Sequence, residues 1–144
     1  MRAVIQKVLK SAVSVDSKVV GRIGHGYCVL LGIAADDTEG DARWIINKLL
    51  KVRLFRHWND NIEQASGSIL LISQFTLYGK LKGNKLDFHL AMKSEPAEVL
   101  YESVLSGLRA SLPERVQAGV FGGMMVVSIE NDGPVTIEID SRSR

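Results

Sequence analysis

Tyr27-Cys28-Val29-Leu30-Leu31-Gly32-Ile33 is an apolar run set between the turn Gly24-His25-Gly26 and the acidic Asp36-Asp37. It shows neither the alternation of a half-buried strand nor the length of a buried helix, so it reads as a strand covered on both faces. Ile69-Leu70-Leu71-Ile72 has the same character. Between them, Asp36-Asp37-Thr38-Glu39 places acid in the first turn of a helix. Ala42, Ile45, Ile46, Leu49 and Leu50 follow at helical spacing and give that helix one buried face. Strand, helix, strand with fully covered strands predicts an α/β fold around a central sheet.

The rest of the chain fits around this unit. Ala3 to Leu9 reads as a strand, and Ala12–Val15 and Val19–Ile23 flank a hairpin signal at Asp16-Ser17-Lys18. Val52–Phe55 predicts a short strand, Arg56–Asn61 a polar loop, and Ser68–Phe75 a further strand. Gly79–Lys85 reads as a loop with two glycines and three lysines. A second helix is expected from Ser94-Glu95-Pro96, with Ser94 as cap and proline in the first turn. Leu100, Val104 and Leu108 continue it on one face, and Pro113 stops it. Val116–Val120 and Met124–Glu130 predict strands, Asn131–Pro134 a turn, and Val135–Asp140 a last strand. The polar tail 141–144 is expected to be flexible. No linker or low-complexity segment divides the chain, so residues 1–144 are read as one layered domain with two main helices.

Composition sets bounds on function. With 46% apolar residues, 144 residues can bury a core without disulfides or metal. Basic and acidic residues number 18 and 16, too balanced for net charge to indicate nucleic-acid binding; only a local basic patch could do so. Cys28 is the only cysteine, which excludes an internal disulfide and a Cys-rich zinc site; within its apolar run it reads as an inert core thiol. The longest apolar run, Tyr27 to Ala35, is far short of the ~20 residues that span a bilayer. The N-terminus enters an alternating segment without an apolar signal core, so a cytoplasmic protein without membrane contact is expected.

Common catalytic signatures are missing. There is no phosphate-loop motif, no G-x-G-x-x-G, no H-E-x-x-H and no G-x-S-x-G. His25, His57 and His89 are scattered, with no partners at metal-ligand spacing, so no metal or cofactor is expected. A serine or threonine nucleophile needs an adjacent base, and no histidine stands out as one. An enzyme of this composition suits easy chemistry: a reactive ester, positioned and polarised by backbone donors.

Two segments carry the functional reading. Ile72 is followed by Ser73-Gln74-Phe75-Thr76-Leu77, polar groups at the end of an apolar strand, where a rigid element can present them to a ligand. They read either as satisfied hydroxyls at a strand end or as a pocket of backbone N–H groups with the Thr76 hydroxyl. Asn131-Asp132-Gly133-Pro134-Val135-Thr136 is the second. It reads as a turn between antiparallel strands, or as a cis-proline loop whose carbonyls form a rigid wall.

Ile72-Ser73-Gln74-Phe75-Thr76-Leu77-Tyr78 and Asn131-Asp132-Gly133-Pro134-Val135-Thr136 resemble the two signature motifs of the D-aminoacyl-tRNA deacylase family. Met1-Arg2-Ala3-Val4-Ile5-Gln6-Lys7-Val8, Val20-Gly21-Arg22-Ile23-Gly24, Leu30-Leu31-Gly32-Ile33 and Gly119-Val120-Phe121-Gly122 are similar too, in order along the whole chain. The resemblance implies a mixed, partly barrel-like sheet and a metal-free homodimer that hydrolyses the ester between a D-amino acid and the 3′ end of tRNA, with help from the terminal ribose 2′-hydroxyl. By the same resemblance, Ser73, Gln74, Phe75 and Thr76 line the ester site. Gly133 and Pro134, joined by a cis bond, reach the partner's pocket as the chirality filter. Asn131 and Thr136 belong to that second motif on the substrate side, and Phe121 and Met125 match positions near the terminal adenosine.

Departures from the family pattern bear on detail. Lys7 stands where the family usually has an arginine that braces the Gly-Pro loop, and lysine lacks the planar donor fork. Phe121-Gly122-Gly123-Met124-Met125 lacks the family's acid. Leu86-Asp87 replaces the usual proline and serine. Lys80, Lys82 and Lys85 read as a solvated loop or as contacts to tRNA phosphates. Two rival functions remain: a paralogous deacylase that removes mischarged L-alanine, with a trans Gly-Pro, and a non-catalytic nucleic-acid-binding module. Ser73 and Asn131-Asp132 favour the D-specific enzyme over the first, and the short tail counts against the second.

Overall fold

In the computed structural model, which describes residues 1–144, strands β1 (Arg2–Val15), β2 (Lys18–Ile23) and β3 (Gly26–Gly32) precede helix α1 (Glu39–Lys51) and strand β4 (Ser68–Ser73). A 3-10 turn (Phe75–Tyr78), a small hairpin of β5 (Lys80–Lys82) and β6 (Lys85–Asp87), helix α2 (Ser94–Ser111), β7 (Val116–Ala118) and β8 (Val126–Asp140) complete the chain. The main sheet runs β2-β1-β3-β4-β7, with β8 paired along the other side of β1. Pairs β3–β4 and β4–β7 are parallel and the rest antiparallel, so the sheet is mixed, as expected.

The sheet curls until β2 approaches β7. At Gly21 a Cβ would stand 2.7 Å from the carbonyl oxygen of Ala118, so this glycine is what lets the seam come together. The barrel is nearly closed, and its interior is a small core of Val8, Val13, Ile23, Cys28, Leu70 and Ile72. The larger core lies on the outer face beneath both helices, and takes Tyr27, Val29 and Leu31 from β3 and Ile69 and Leu71 from β4. These two cores explain why β3 and β4 are apolar on both faces. Burial pushes the Cys28 thiol up, against a hydrogen bond from Ser11, in keeping with an inert core thiol.

Helix α1 starts where the acidic signal places it, with the Asp41 carboxylate accepting from the Thr38 N–H at 2.9 Å. Ala42, Ile45 and Leu49 are its buried face. Helix α2 packs on α1 and is tied to the sheet by the Tyr101 hydroxyl, which donates to the Leu71 carbonyl at 2.8 Å. Its cap differs from expectation: Lys93 is the N-cap, and Ser94 is already the first helical residue.

Other elements also differ. The segments flanking Ser11 are one continuous strand, and only Asp16 and Ser17, both with positive φ, form the hairpin turn. Val52–Phe55 is not a strand. Phe55 makes a single bridge to Asp60, and the chain then turns through Arg56, His57 and Trp58, all left-handed. Gly79–Lys85 is not a loop, since most of it forms the β5–β6 hairpin. Strand β7 ends at Ala118 rather than Val120.

Asn131–Pro134 is not a hairpin turn either. Both halves of β8 pair with β1: Asn131 lies opposite Val8 and Thr136 opposite Gln6, so β8 uses five steps where β1 uses two. The surplus leaves the ladder as a bulge that carries Gly133-Pro134. The tail expected to be flexible is anchored. Ser141 is buried and donates to Asp41 at 2.6 Å, and Arg142 pairs with Asp36, Asp37 and Asp41 at 3.0–3.2 Å.

Candidate functional site

Strand β4 runs parallel beside β3 and ends at Ser73, opposite Leu31. The Gln74 N–H then donates to the Leu31 carbonyl at 2.8 Å, and the chain folds over the end of β3 as the 3-10 turn. The strand therefore stops two residues earlier than Ser68–Phe75 predicted. Gly32 makes the turn possible: a Cβ there would lie 2.8 Å from the Leu77 Cβ and 3.1 Å from the Gln74 carbonyl oxygen. The first amides of the turn, at Phe75 and Thr76, have no partner inside it. Such donors can polarise an ester carbonyl. The Gln74 side-chain amide donates to the Thr76 hydroxyl.

This strand end forms one wall of a cavity of about 650 Å³. Ser73, Gln74 and Phe75 lie on that wall, and Ile72 and Leu31 are beneath them. Phe121 and Met125 approach from the segment before β8. Phe121 rests against Tyr101 of α2 with ring centroids 5.5 Å apart. Met125 is admitted by Gly119, where a Cβ would come within 2.6 Å of its sulfur. Met124, in the place of the family's acid, is 91% exposed at the rim.

The remaining wall escaped the sequence reading. Phe88, Met92, Lys93 and Ser94 also line the cavity. Phe88 meets Phe75 edge-on at 4.9 Å. Ser94-Glu95-Pro96 as a helix start marks where α2 begins but not that its first turn faces a cavity.

The second segment lies elsewhere. Gly133 and Pro134 are exposed on the β8 bulge, their peptide bond is cis, and neither is on the wall of the cavity. Asn131 and Thr136 hold the root of the bulge. The Asn131 amide donates to the Thr136 hydroxyl at 2.9 Å, and its Oδ1 accepts from the Val135 N–H at 2.9 Å. Lys7 reaches Asp132 at 3.6 Å.

Lys80, Lys82 and Lys85 all lie exposed on the β5–β6 hairpin, where Lys82 faces Lys85 across the ladder. Lys82 also lies 3.4 Å from Asp87. Hydrogen bonds from the His89 side chain and backbone hold the Asp87 carboxyl at about 2, with Lys82 adding to the effect.

No histidine lies on the wall of the cavity. His25 packs edge-on to Phe55, His57 is in the left-handed turn, and His89 pairs with Asp87. No group of three His, Cys, Asp or Glu side chains could hold a metal ion. The site therefore offers backbone donors, a bound amide–hydroxyl pair and aromatic and methionine surface, a set suited to holding and polarising an acyl ester beside a flat ring.

The family model for D-Tyr-tRNA(Tyr) deacylase matches residues 4–140. A D-aminoacyl-tRNA deacylase of Schizosaccharomyces pombe is 47% identical over 148 residues, covering 99% of each chain. The solved structure of a c-Myc DNA Unwinding Element Binding Protein superposes with a TM-score of 0.93 at 45% identity, over 97% of this chain and 98% of that one. A probable eukaryotic D-amino acid tRNA deacylase shares the fold, with a TM-score of 0.84 at 22% identity over 96% and 98% of the two chains.

Proposed function

The chain belongs to the D-Tyr-tRNA(Tyr) deacylase family, and from that premise we propose how its site works. The protein is a hydrolase that cleaves the ester of D-aminoacyl-tRNA and releases the free D-amino acid and tRNA. The observation that carries this reading is the meeting of Ser73-Gln74-Phe75 with Phe121 and Met125 in one cavity. The terminal adenosine would lie against Phe121 and Met125, which sets the ester beside the 3-10 turn. Backbone N–H groups at Phe75 and Thr76 would take the developing oxyanion, and Gln74 with Thr76 would orient the attacking water. The proton lost by the attacking water would pass by way of the adjacent ribose 2′-hydroxyl to the departing 3′-oxygen as the acyl–oxygen bond breaks, so no side-chain base is needed.

The site is completed by a second copy of the chain in this reading. Gly133 and Pro134 do not line their own cavity, and strand β8 has a partner on one side only. A strand of 15 residues with a free edge is normally covered. Val126 and Met124, 69% and 91% exposed, add apolar surface beside it. A homodimer would cover this surface and bring the partner's Gly-Pro carbonyls over the substrate amino group, leaving no room for an L side chain. Lys80, Lys82 and Lys85 would follow the tRNA backbone. No helix is long and apolar enough to cross a membrane, and the tRNA substrate suits a cytoplasmic location.

The test is tRNA charged with D-tyrosine or with L-tyrosine. Loss of the D-ester alone is the expected result. Equal hydrolysis of both would remove the chirality filter, and binding without hydrolysis would favour a nucleic-acid-binding module.

A further inference from the structure

Three strand ends meet behind the 3-10 turn. In the ladder, Arg2 of β1 lies opposite Gly32, the last residue of β3, and opposite Asp140, the last residue of β8. Gly32 has no side chain, and the turn packs into the space it leaves. The Arg2 guanidinium spans the junction. Its Nε donates to the Asp140 carboxylate at 3.0 Å, and its Nη1 donates to the Leu77 carbonyl at 3.0 Å. The same group lies 4.6 Å above the ring of Tyr78, which is buried. Leu77 and Tyr78 are the last two residues of the turn, and Thr76 precedes them.

We propose that Arg2 is a positioning residue: with Asp140 it clamps the far end of the 3-10 turn and so fixes the Phe75 and Thr76 amides and the Thr76 hydroxyl. The geometry needs a planar fork. One face lies on an aromatic ring while separate nitrogens reach a carboxylate and a carbonyl; a lysine has no planar face for the ring and a single nitrogen from which to reach both acceptors. At its near end the turn is held by the Gln74 N–H on Leu31. Without Arg2 the far end would keep the packing of Leu77 on Gly32 and the burial of Tyr78 but lose its one hydrogen bond to the rest of the fold. The effect on rate rests on the deacylase reading; the clamp itself does not.

The experiment pairs Arg2→Met and Arg2→Lys with Arg142→Met in the full-length protein. The Arg142 side chain bonds Asp36, Asp37 and Asp41, and its link to the clamp is a backbone N–H on Asp140 that a substitution leaves in place, so its loss controls for general destabilisation. The deciding readouts are amide hydrogen exchange at Leu77 and Gly79, whose N–H groups bond Gln74 and Thr76, and the single-turnover rate on D-tyrosyl-tRNA, with tRNA affinity and melting temperature measured alongside. Arg2→Met should speed exchange at those amides and slow the rate by roughly tenfold each, the value of one charge-assisted hydrogen bond, with tRNA affinity within about twofold. Arg2→Lys should recover part of both. Arg142→Met should lower the melting temperature and change neither. Unchanged exchange in Arg2→Met overturns the clamp, and so does an equal effect from Arg142→Met. A wild-type protein inactive on the D-ester would overturn the deacylase reading, while exchange would still decide the clamp.

Discussion

The ammonium of Lys7 lies 3.6 Å from the Asp132 carboxylate, one residue before Gly133-Pro134, and 5.3 Å from the centroid of the Phe55 ring. A point charge between an acid and an aromatic face restrains the bulge without the two-point grip of a guanidinium. Both partners are partly exposed, so the pair contributes little to stability, about 0–1 kcal/mol. Its consequence should be kinetic. Lys7→Met is expected to leave the melting temperature nearly unchanged and slow D-ester hydrolysis several-fold, whereas Lys7→Arg should match or exceed the wild-type rate. Single-turnover rates with D-tyrosyl-tRNA check this.

Thr76 accepts a hydrogen bond from the Gln74 amide, and no base on the cavity wall is placed to take its proton. A positioning hydroxyl is expected to be worth one neutral hydrogen bond, ~0.5–1.5 kcal/mol. Thr76→Ala should therefore slow hydrolysis by roughly two- to tenfold, not abolish it. Thr76→Ser should retain most of the rate. An aminoacyl ester trapped on Thr76 and detected by mass spectrometry would contradict positioning.

Gly32 tests the seat of the same turn. Its Cα faces the Leu77 Cβ and the Gln74 carbonyl so closely that an added methyl must move backbone. Gly32→Ala is expected to cost about 1–3 kcal/mol, as overpacking does. It should slow hydrolysis by more than Thr76→Ala, because the whole turn shifts. A urea titration and a rate measurement on one preparation separate the two effects.

What the sequence made readable followed from periodicity. Tyr27–Ile33 and Ile69–Ile72 were legible as covered strands because each supplies two cores at once, and α1 because its apolar stripe and acidic start agree. The bulge at Gly133-Pro134 was not legible from local signals. Asn-Asp-Gly-Pro has the composition of a hairpin turn, and only the shared partner β1 shows that both halves are one strand. Phe88 and Met92 were equally hidden, since a cavity wall assembled from a hairpin end and a helix start leaves no periodic trace. The Arg142 cluster was missed because a polar tail looks disordered unless its acidic partners, a hundred residues upstream, are known to be adjacent.

Lys82 is partly neutralised by Asp87, at 3.4 Å, which leaves Lys80 and Lys85 as the hairpin's less encumbered cations. Each phosphate contact contributes about 0.7–0.9 to the log–log salt slope of binding. Changing Lys80 and Lys85 to alanine should lower the slope for tRNA by roughly 1.4–1.8, and Lys82→Ala should add less than a full contact. An unchanged slope would place the tRNA backbone elsewhere.

The terminal cluster makes a prediction about acid stability. Burial tends to raise the Asp41 carboxyl, but bonds from the Ser141 hydroxyl, the Thr38 N–H and Arg142 outweigh it and hold it well below 3.8. Arg142 likewise lowers Asp36. Near pH 3.8 the unfolded chain therefore binds more protons at these groups than the folded one, and stability rises with pH. Their contribution is fully present above the unfolded value and is lost as pH falls through the lower folded values. Arg142→Met removes the cation, and with it the main lowering of Asp36 and part of the lowering of Asp41, whose bonds from Ser141 and Thr38 remain. Urea midpoints should then show the variant well below the wild type at pH 6, with the gap narrowing steadily below pH 4. A gap that stayed constant down to pH 2 would mean that the cluster's charges add nothing beyond packing.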